Sequence, residues 1–281
     1  MRPIATTLTA TVSAAALTVL GASVAAAAPA PIVDDRGAIV APGGTRISFA
    51  HTPSGMRAGT ANEHESRAGV SIVKLYLAEY VVQHGDPADR ADAVEMIRSS
   101  DDAIADRLHA RYPQAIAATA TEFGLTDTHV PGYWGAGTTS THDMVTYLET
   151  KKRTDPGSPV LAAMASAHDT AADGTRQDYG TAALPGVIGT KWGWSDDRSF
   201  HASASFGADF SVAASTGGSA GQLTDHVLGA FADGPAPAPE PGPRLQDCPP
   251  LGPLTDDPLL GGPAQNLLDA LPPGVPDAFC G

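Results

Sequence analysis

Residues 70–82 of this 281-residue chain read VSIVKLYLAEYVV. Apolar side chains occupy nearly every helical position of this segment, so the helix that it predicts has no polar face. A helix that is apolar on all sides is normally buried. The segment is therefore predicted to be the central helix of a domain. Ser71 and Lys74 stand at its start, three positions apart and on one helix face.

The sequence on both sides of this helix divides into a helical part and a strand part. A short strand is predicted at residues 46–50, and helical patterns cover residues 89–98, 102–111, 114–123, 141–150 and 160–166. Three strands are predicted at residues 187–194, 200–206 and 210–214, followed by a helix at 222–231. Short turns join the three strands, which favours an antiparallel meander. The predicted fold class is α/β of the α+β type, an antiparallel sheet packed against helices.

The two ends of the chain differ in composition from the part between them. Residues 1–28 combine Arg2 with a run of apolar and small residues, which is typical of a secretory signal peptide. Prolines are frequent in residues 233–281, where Cys248 and Cys280 both lie, and an oxidising compartment would allow these cysteines to form a disulfide. We therefore expect a secreted protein, extracellular or associated with the cell wall, with one domain at residues 31–232 and a proline-rich tail.

The charge balance excludes some classes of partner. The chain has 17 basic and 31 acidic residues and a net charge of −14, which becomes −15 when residues 1–28 are removed. Such a surface repels the phosphates of nucleic acids. After residue 28 no stretch approaches the ~20 apolar residues that a membrane-spanning helix needs. We expect a monomer that has no membrane span, does not bind nucleic acid and needs no cofactor.

Ser71 and Lys74 are the first candidates for chemistry. A lysine among apolar neighbours loses its proton more readily than a lysine in water, so it can act as a base on an adjacent hydroxyl. The backbone N–H of a serine at a helix start also points toward a developing oxyanion. The alternative is that Lys74 extends to the surface and Ser71 merely lies near a helix start, since an isolated SxxK pattern is common by chance.

Two later patterns give this pair a context. Ser100-Asp101-Asp102 lies between two predicted helices, and Lys191-Trp192-Gly193 lies in the first strand of the meander. In this order the three patterns resemble the SxxK, SDN and KTG signatures of serine β-lactamases and penicillin-binding D,D-peptidases. That family also begins with a strand, buries the nucleophile helix and ends with the KTG strand, two further strands and a helix. The resemblance implies a β-lactamase/transpeptidase-like fold whose helical subdomain is reduced, since only 26 positions separate Lys74 from Ser100.

The resemblance also implies a role for each matching residue. Ser71 would be the acylated nucleophile and Lys74 its proton acceptor, while Ser100 would pass a proton to the leaving group and Lys191 would hold Ser100. The substrate would be a β-lactam or a peptidoglycan-type compound resembling D-Ala-D-Ala. The backbone N–H groups of Ser71 and Trp194 would form the oxyanion hole. Substrate contacts would come from Asp102, Trp192, Gly193, Trp194 and Trp134, the last of these in a loop that borders the cleft.

Four features depart from the family pattern. Trp192 replaces the Thr or Ser whose hydroxyl would bind a substrate carboxylate. Asp102 replaces an Asn, and an ionised carboxylate cannot donate a hydrogen bond. The spacing between Lys74 and Ser100 is short, and residues 126–139 contain no Glu that would activate water as in class A β-lactamases. A second interpretation is therefore open, a β-lactamase-like wall-binding module with weak or no catalysis.

Purely structural interpretations of the same residues are also open. Ser100 and Asp102 are residue types that often cap a helix, and a helix is predicted to begin beside them. Lys191 is compatible with an exposed strand position, paired with Asp196 or Asp197 across the following turn. These interpretations place the two lysines far apart, whereas the enzyme interpretation places them in one cleft.

The histidines do not predict a metal site. They show no HExxH pattern and no paired ligand spacing, both of which are typical of zinc enzymes. We therefore predict no metal centre from the sequence. The histidines considered are His64, His129, His142, His168 and His201.

Overall fold

The computed structural model describes residues 28–235. The strands in this range are β1 (Pro29–Pro31), β2 (Arg46–His51), β3 (Met56–Gly59), β4 (Arg67–Ala68), β5 (Thr138–Thr139), β6 (Val187–Trp194), β7 (Phe200–Gly207), β8 (Phe210–Gly217) and β9 (Phe231–Pro235). The helices are α1 (Lys74–His84), α2 (Pro87–Ser99), α3 (Asp102–Arg111), α4 (Ala115–Phe123), α5 (Thr141–Thr154), α6 (Pro159–Ala165) and α7 (Ala220–Gly229). Residues 1–27 of the predicted signal peptide, the tail beyond 235 and both cysteines lie outside the described residues. No helix within 28–235 has the length and apolar character needed to cross a bilayer.

Five strands form one antiparallel sheet in the order β3-β2-β8-β7-β6. Strands β6, β7 and β8 pair as consecutive hairpins, as their short turns predict, and β2 pairs with β8. Side chains alternate between the two faces of a strand, so β7 directs Ala202 and Ala204 toward the helices and Ser203 and Ser205 away from them. These small side chains let the helices approach the sheet closely. Strand β6 is the edge strand beside the helical part.

The sheet separates two hydrophobic cores. The larger core contains side chains of α1 to α6 and of one sheet face, among them Tyr76, Met96 and Leu148. The smaller core lies on the other face, where α7 and strand β9 cover Ile47 and Val212. The α+β architecture with an antiparallel sheet is therefore confirmed.

Helix α1 lies in the centre of the larger core. Its apolar residues at positions 75–78 and 81 are completely shielded from solvent, as the all-apolar pattern predicts, and so are its charged residues Lys74 and Glu79, whereas Tyr80 and Val82 are partly buried. A buried charge is costly unless it is paired and hydrogen-bonded. Glu79 accepts hydrogen bonds from Nζ of Lys151 at 2.7 Å and from the hydroxyl of Tyr147 at 2.8 Å. These two residues stand on α5, so the ion pair connects two helices of the core.

The two ends of the described chain pair with each other. Strand β1 pairs with β9 in antiparallel fashion; β1 begins two residues before the predicted start of the domain, and β9 ends three residues beyond its predicted end. The sequence pattern assigns Phe231 to the last helix, but α7 ends at Gly229 and Phe231 begins β9. Its ring packs edge-on against Phe49, with ring centroids 5.6 Å apart. Burial of this ring on the sheet therefore decides its conformation, and not the helical pattern that precedes it.

Candidate active site

Ser71 lies in a tight turn directly before α1. Residues Val70–Val73 form a 3-10 turn, and Val70 at its start has a φ of 41°. A β-branched residue rarely adopts a positive φ, and backbone strain of this kind often occurs at functional sites. Ser71 is 8% exposed and lines a cleft of about 640 Å³. The turn therefore presents a serine hydroxyl at the inner end of a cleft.

Lys74 follows Ser71 by three residues and is completely buried. Its Nζ donates hydrogen bonds to the carbonyl oxygen of Ser100, at 2.6 Å, and to the carboxylate of Asp102. Burial lowers the pKa of Lys74 below its ordinary value, while the hydrogen bond and negative charge of Asp102 act against that shift. The lysine has the environment of a base, but its amine is held by an ion pair and a carbonyl, neither of which belongs to Ser71.

Ser100 connects the two lysines of the cleft. It lies between α2 and α3 in a left-handed conformation, with φ 55° and ψ 31°. Its carbonyl oxygen accepts from Lys74, and its Oγ accepts from Nζ of Lys191 at 2.7 Å. The cap of α3 is Asp101, whose Oδ1 accepts from the backbone N–H of Ile104 at 3.0 Å. Ser100 is therefore not the cap of α3, as the structural interpretation had it, but the C-cap residue that ends α2.

Lys191 stands on β6 and is completely buried. Its Nζ also donates to the carbonyl oxygen of Trp192 at 3.0 Å. Burial lowers the pKa of Lys191 well below its ordinary value, and the positive charge of Lys74 acts in the same direction. The interpretation of Lys191 as an exposed residue paired with an aspartate of the next turn is wrong, because the side chain points into the protein. The two lysines and Ser100 form one buried polar cluster.

The end of β6 lies directly against the turn that carries Ser71. A Cβ atom at Gly193 would be 2.4 Å from Cγ2 of Val70 and 3.0 Å from the backbone nitrogen of Ser71, so only glycine permits this approach. An edge strand has one row of backbone groups without a strand partner. Trp194, the next residue of this edge strand, borders the same cleft as Ser71. The backbones of Ser71 and Trp194 are thus neighbours at the cleft.

Trp192 is a core residue, which corrects the prediction that it contacts substrate. Successive side chains of a strand point to opposite faces, so Trp192 and Lys191 lie on opposite sides of the sheet. The indole belongs to the smaller core, and its Nε1 donates to the carbonyl oxygen of Tyr179 at 2.9 Å. Packing in the smaller core explains an aromatic residue at this position. Trp192 therefore supplies no hydroxyl to the cleft.

Aromatic and acidic side chains surround the cleft. Trp134 lies with its ring centre 4.8 Å from Nζ of Lys74, and its Nε1 donates to Asp106 at 2.7 Å. Trp194 donates from Nε1 to Asp173 at 3.0 Å. The sequence did not identify all residues of the lining, because several lie in loops that carry no motif. These additional lining residues are Asp101, Tyr133, Asp173 and Asp196.

A second serine pattern in the chain serves a structural purpose. Residues 217–221 read GGSAG, which matches the Gly-x-Ser-x-Gly pattern of α/β-hydrolases. Ser219 is the N-cap of α7, and its Oγ accepts from the backbone N–H of Gln222 at 3.2 Å. Oε1 of Gln222 in turn accepts from the backbone N–H of Ser219 at 2.9 Å, which completes a capping box. This serine is therefore assigned to helix capping.

Three solved structures have an architecture similar to that of this chain. A β-lactamase from Xanthomonas campestris pv. campestris aligns with a TM-score of 0.52 and 18% identity, over 66% of this chain and 89% of that chain. A D-alanyl-D-alanine carboxypeptidase from Mycobacterium tuberculosis H37Rv aligns with a TM-score of 0.50 and 18% identity, over 73% and 100%. Penicillin-binding protein D2 from Listeria monocytogenes, in its cefotaxime-bound form, aligns with a TM-score of 0.50 and 16% identity, over 66% and 94%. The chain has the β-lactamase/transpeptidase fold.

Sequence comparison adds nothing to this fold assignment. No protein-family profile matches the chain, and no curated protein matches it. Within the β-lactamase-like fold, α2 is the only α-helix between α1 and Ser100, which accounts for the short spacing of the first two motifs. The predicted residues that meet around the cleft are Ser71, Lys74, Ser100, Asp102, Trp134, Lys191, Gly193 and Trp194, and Trp192 is the one that lies elsewhere.

Proposed function

We propose that the protein is a secreted serine hydrolase of the penicillin-recognising type, which acts through an acyl-enzyme at Ser71. The proposed substrates are β-lactams or cell-wall peptides that end in D-Ala-D-Ala-like groups. The observation that carries the proposal is the arrangement of two buried lysines that both contact Ser100, a residue that lines the same cleft as Ser71. Hydrophobic packing alone gives no reason to bury two amines beside a serine hydroxyl.

In the proposed reaction, the Oγ of Ser71 attacks the substrate carbonyl carbon while neutral Lys74 takes the hydroxyl proton. The negative charge that develops on the carbonyl oxygen is stabilised by the backbone N–H groups of Ser71 and Trp194. When the tetrahedral intermediate collapses, the C–N bond breaks and the leaving nitrogen takes a proton from the Oγ of Ser100. Lys191 contacts the Oγ of Ser100 and Lys74 contacts its carbonyl oxygen, so the proton that Lys74 took from Ser71 can return through this cluster to the Ser100 hydroxyl. Water then cleaves the acyl ester and restores Ser71.

Asp102 makes the first step of this reaction slower than it would be with Asn. Lys74 takes a proton only in its neutral form. Burial favours that form, but the Asp102 carboxylate at Nζ favours the ammonium. We therefore expect the acylation rate to be low near neutral pH and to increase as the pH rises.

Hydrolysis of the acyl-enzyme is also expected to be slow. Residues 126–139 contain no Glu, and the part of this loop that borders the cleft contributes Tyr133, Trp134 and Gly135. These residues supply no carboxylate that could activate a water molecule. A long-lived covalent adduct at Ser71 is therefore the signature to look for, and not rapid β-lactam turnover.

Covalent labelling tests the proposal directly. Purified protein is treated with a fluorescent penicillin and, separately, with a fluorophosphonate reagent, and the modified peptide is identified by mass spectrometry. We expect an adduct on Ser71 that Ser71→Ala abolishes. The matched control is Ser219→Ala, which alters the other serine pattern and leaves the cleft intact. Failure of both reagents to label Ser71 in a folded protein would refute the enzyme proposal.

The second candidate is a wall-binding module without catalysis, and the ion pair between Lys74 and Asp102 favours it. A lysine held permanently as an ammonium cannot accept a proton. This candidate predicts saturable binding of soluble peptidoglycan fragments that is unchanged in Ser71→Ala, together with the absence of any Ser71 adduct. Secretion and a monomeric state, which both candidates include, are testable by fractionation of the producing cells and by light scattering.

A further inference from the structure

A cluster of histidine and aspartate side chains lies outside the Ser71 cleft. His64 stands in the loop between β3 and β4, Asp127 in the loop after α4, and His142 in the first turn of α5. Their ligand-type atoms all lie within 4.8 Å of one another. The two histidines are 78 positions apart in sequence, which is why no local spacing pattern revealed them.

The contacts inside the cluster are close. Nδ1 of His64 lies 3.0 Å from Oδ2 of Asp127, and the two imidazole rings have centroids 4.0 Å apart. Asp127 is fixed from the other side, because its Oδ2 also accepts from the hydroxyl of Ser140 at 2.8 Å. His64 is largely exposed and can rotate, whereas the carboxylate of Asp127 has a defined position.

A fourth side chain, Asp143, lies beside the cluster and has one carboxylate oxygen without a hydrogen-bond partner among the described residues. Asp143 is completely buried, and its Oδ2 accepts from the backbone N–H of Asp127 at 2.9 Å and from the hydroxyl of Thr128 at 2.7 Å. Within residues 28–235, its Oδ1 and Nδ1 of His142 have no hydrogen-bond partner, and these two atoms lie 3.7 Å apart. Buried polar atoms are almost always paired, so two facing unpaired atoms call for an explanation.

The chemistry of these donors fits a transition-metal cation. Two imidazoles with carboxylates are typical ligands of Zn²⁺, whereas Ca²⁺ and Mg²⁺ prefer ligand sets made of oxygen. A tetrahedral site with bonds of about 2.1 Å needs donors roughly 3.4 Å apart, so a small rotation of the exposed His64 ring would suffice. The charged groups near the cluster are mostly acidic. Asp127, Asp143 and Glu63 lie near His142, together with the cation Arg57.

We propose that His64, Asp127 and His142 bind one Zn²⁺ ion or a similar transition-metal ion, with the buried carboxylate of Asp143 beside them. The ion would join three segments: the loop that leads into β4 and Ser71, the loop at residues 124–130, and the start of α5. It would thereby fix the base of the loop that carries Trp134 to the rim of the cleft. The proposed site is structural and does not depend on the proposed function of Ser71.

Calorimetric titration with ZnCl₂ tests the site in purified full-length protein freed of metal with EDTA. We expect one ion per chain, a rise in the melting temperature on Zn²⁺ addition, and no such rise with Ca²⁺ or Mg²⁺. His64→Ala should lower the Zn²⁺ affinity at least tenfold and should melt like the wild type in EDTA, because the His64 side chain is 60% exposed. His168→Ala, which changes a histidine outside the cluster, should bind Zn²⁺ like the wild type.

Equal Zn²⁺ affinity in His64→Ala and the wild type would overturn the proposal, and so would the absence of Zn²⁺ binding in the wild type. If His64→Ala fails to fold, Asp127→Asn gives the same decision, since it removes a ligand charge and keeps the size of the side chain. Unchanged affinity in that variant would likewise exclude the site.

Discussion

The exchange Asp102→Asn is the sharpest test of how the cleft is tuned. In the structure the Asp102 carboxylate accepts a hydrogen bond from Nζ of Lys74, and this ion pair opposes the effect of burial on the lysine. Asn has nearly the same size and an oxygen at the same position, so the hydrogen bond can persist without the charge. The exchange should therefore lower the pKa of Lys74 and leave the geometry in place.

The size of the effect follows from the exposure of the pair. Two unit charges 4 Å apart interact by about 4 kcal/mol at an effective dielectric constant of 20, and by about 1 kcal/mol in water. Lys74 is buried, but the Asp102 side chain is 68% exposed and solvent screens its charge. The lower part of this range, about 1–2 kcal/mol, corresponds to roughly one pKa unit. A pKa lower by one unit makes the neutral fraction of Lys74 about tenfold larger near pH 7. The neutral amine is then a weaker base, which reduces the gain in rate from about tenfold to about threefold.

The assay is the second-order rate of Ser71 labelling by a fluorophosphonate from pH 5 to pH 10. We expect the acid limb of the profile to move down by about one pH unit in Asp102→Asn, with an approximately threefold faster rate at pH 7. Asp196→Asn is the control, since it removes another carboxylate of the cleft lining that has no hydrogen bond to Lys74. An acid limb that stays in place in Asp102→Asn would refute the assignment of Lys74 as the base.

Two further predictions concern stability. Glu79→Gln should lower the free energy of unfolding by about 2 kcal/mol in urea titrations, because it removes the buried partner of the Lys151 amine and leaves the half-exposed Asp155 as its anionic partner. The exposed pair at Glu95, changed in Glu95→Gln, should matter by less than about 1 kcal/mol. Lys191 has a pKa below its unfolded value, so the unfolded chain binds more protons in the range between the two. The unfolding free energy of the wild type relative to Lys191→Met should therefore rise between pH 7 and pH 10, by at most about 1.4 kcal/mol per pH unit; a flat or falling difference would contradict the burial of a titrating amine.

Strong patterns in the sequence predicted the larger elements correctly. The all-apolar segment forms the buried helix α1, and the short turns after Trp194 and Gly207 produce the antiparallel meander. The short strands β1, β3, β4, β5 and β9 escaped prediction, because segments of two to five residues show no periodicity. Their conformation depends on partners that are distant in sequence. Phe231 shows this most clearly, since its contact with Phe49 overrides the helical pattern before it.

The site was predictable only where a motif carried it. The resemblance linked Ser71, Lys74, Ser100 and Lys191, which no local pattern could have brought together. It assigned Trp192 incorrectly, because Lys191 points toward Ser100 and the next side chain along a strand points to the opposite face. The histidine cluster was missed for a related reason. His64 and His142 meet through the tertiary fold, and the search for metal ligands relied on local spacing.

Asp102 and Trp192 both make the cleft less suited to an anionic substrate. A substrate carboxylate would find no hydroxyl at position 192, whose indole is in the core, and it would face carboxylates of Asp101, Asp102, Asp173 and Asp196 around the cleft. Lys191 is the cation that would attract it, but burial disfavours its charged form. In the proposed function, recognition of an anionic substrate would thus be weakened, while Ser71, Lys74 and Ser100 would still serve acyl transfer. Penicillins carry a carboxylate and fluorophosphonates do not, so labelling of Ser71 by the fluorophosphonate alone would separate the two properties.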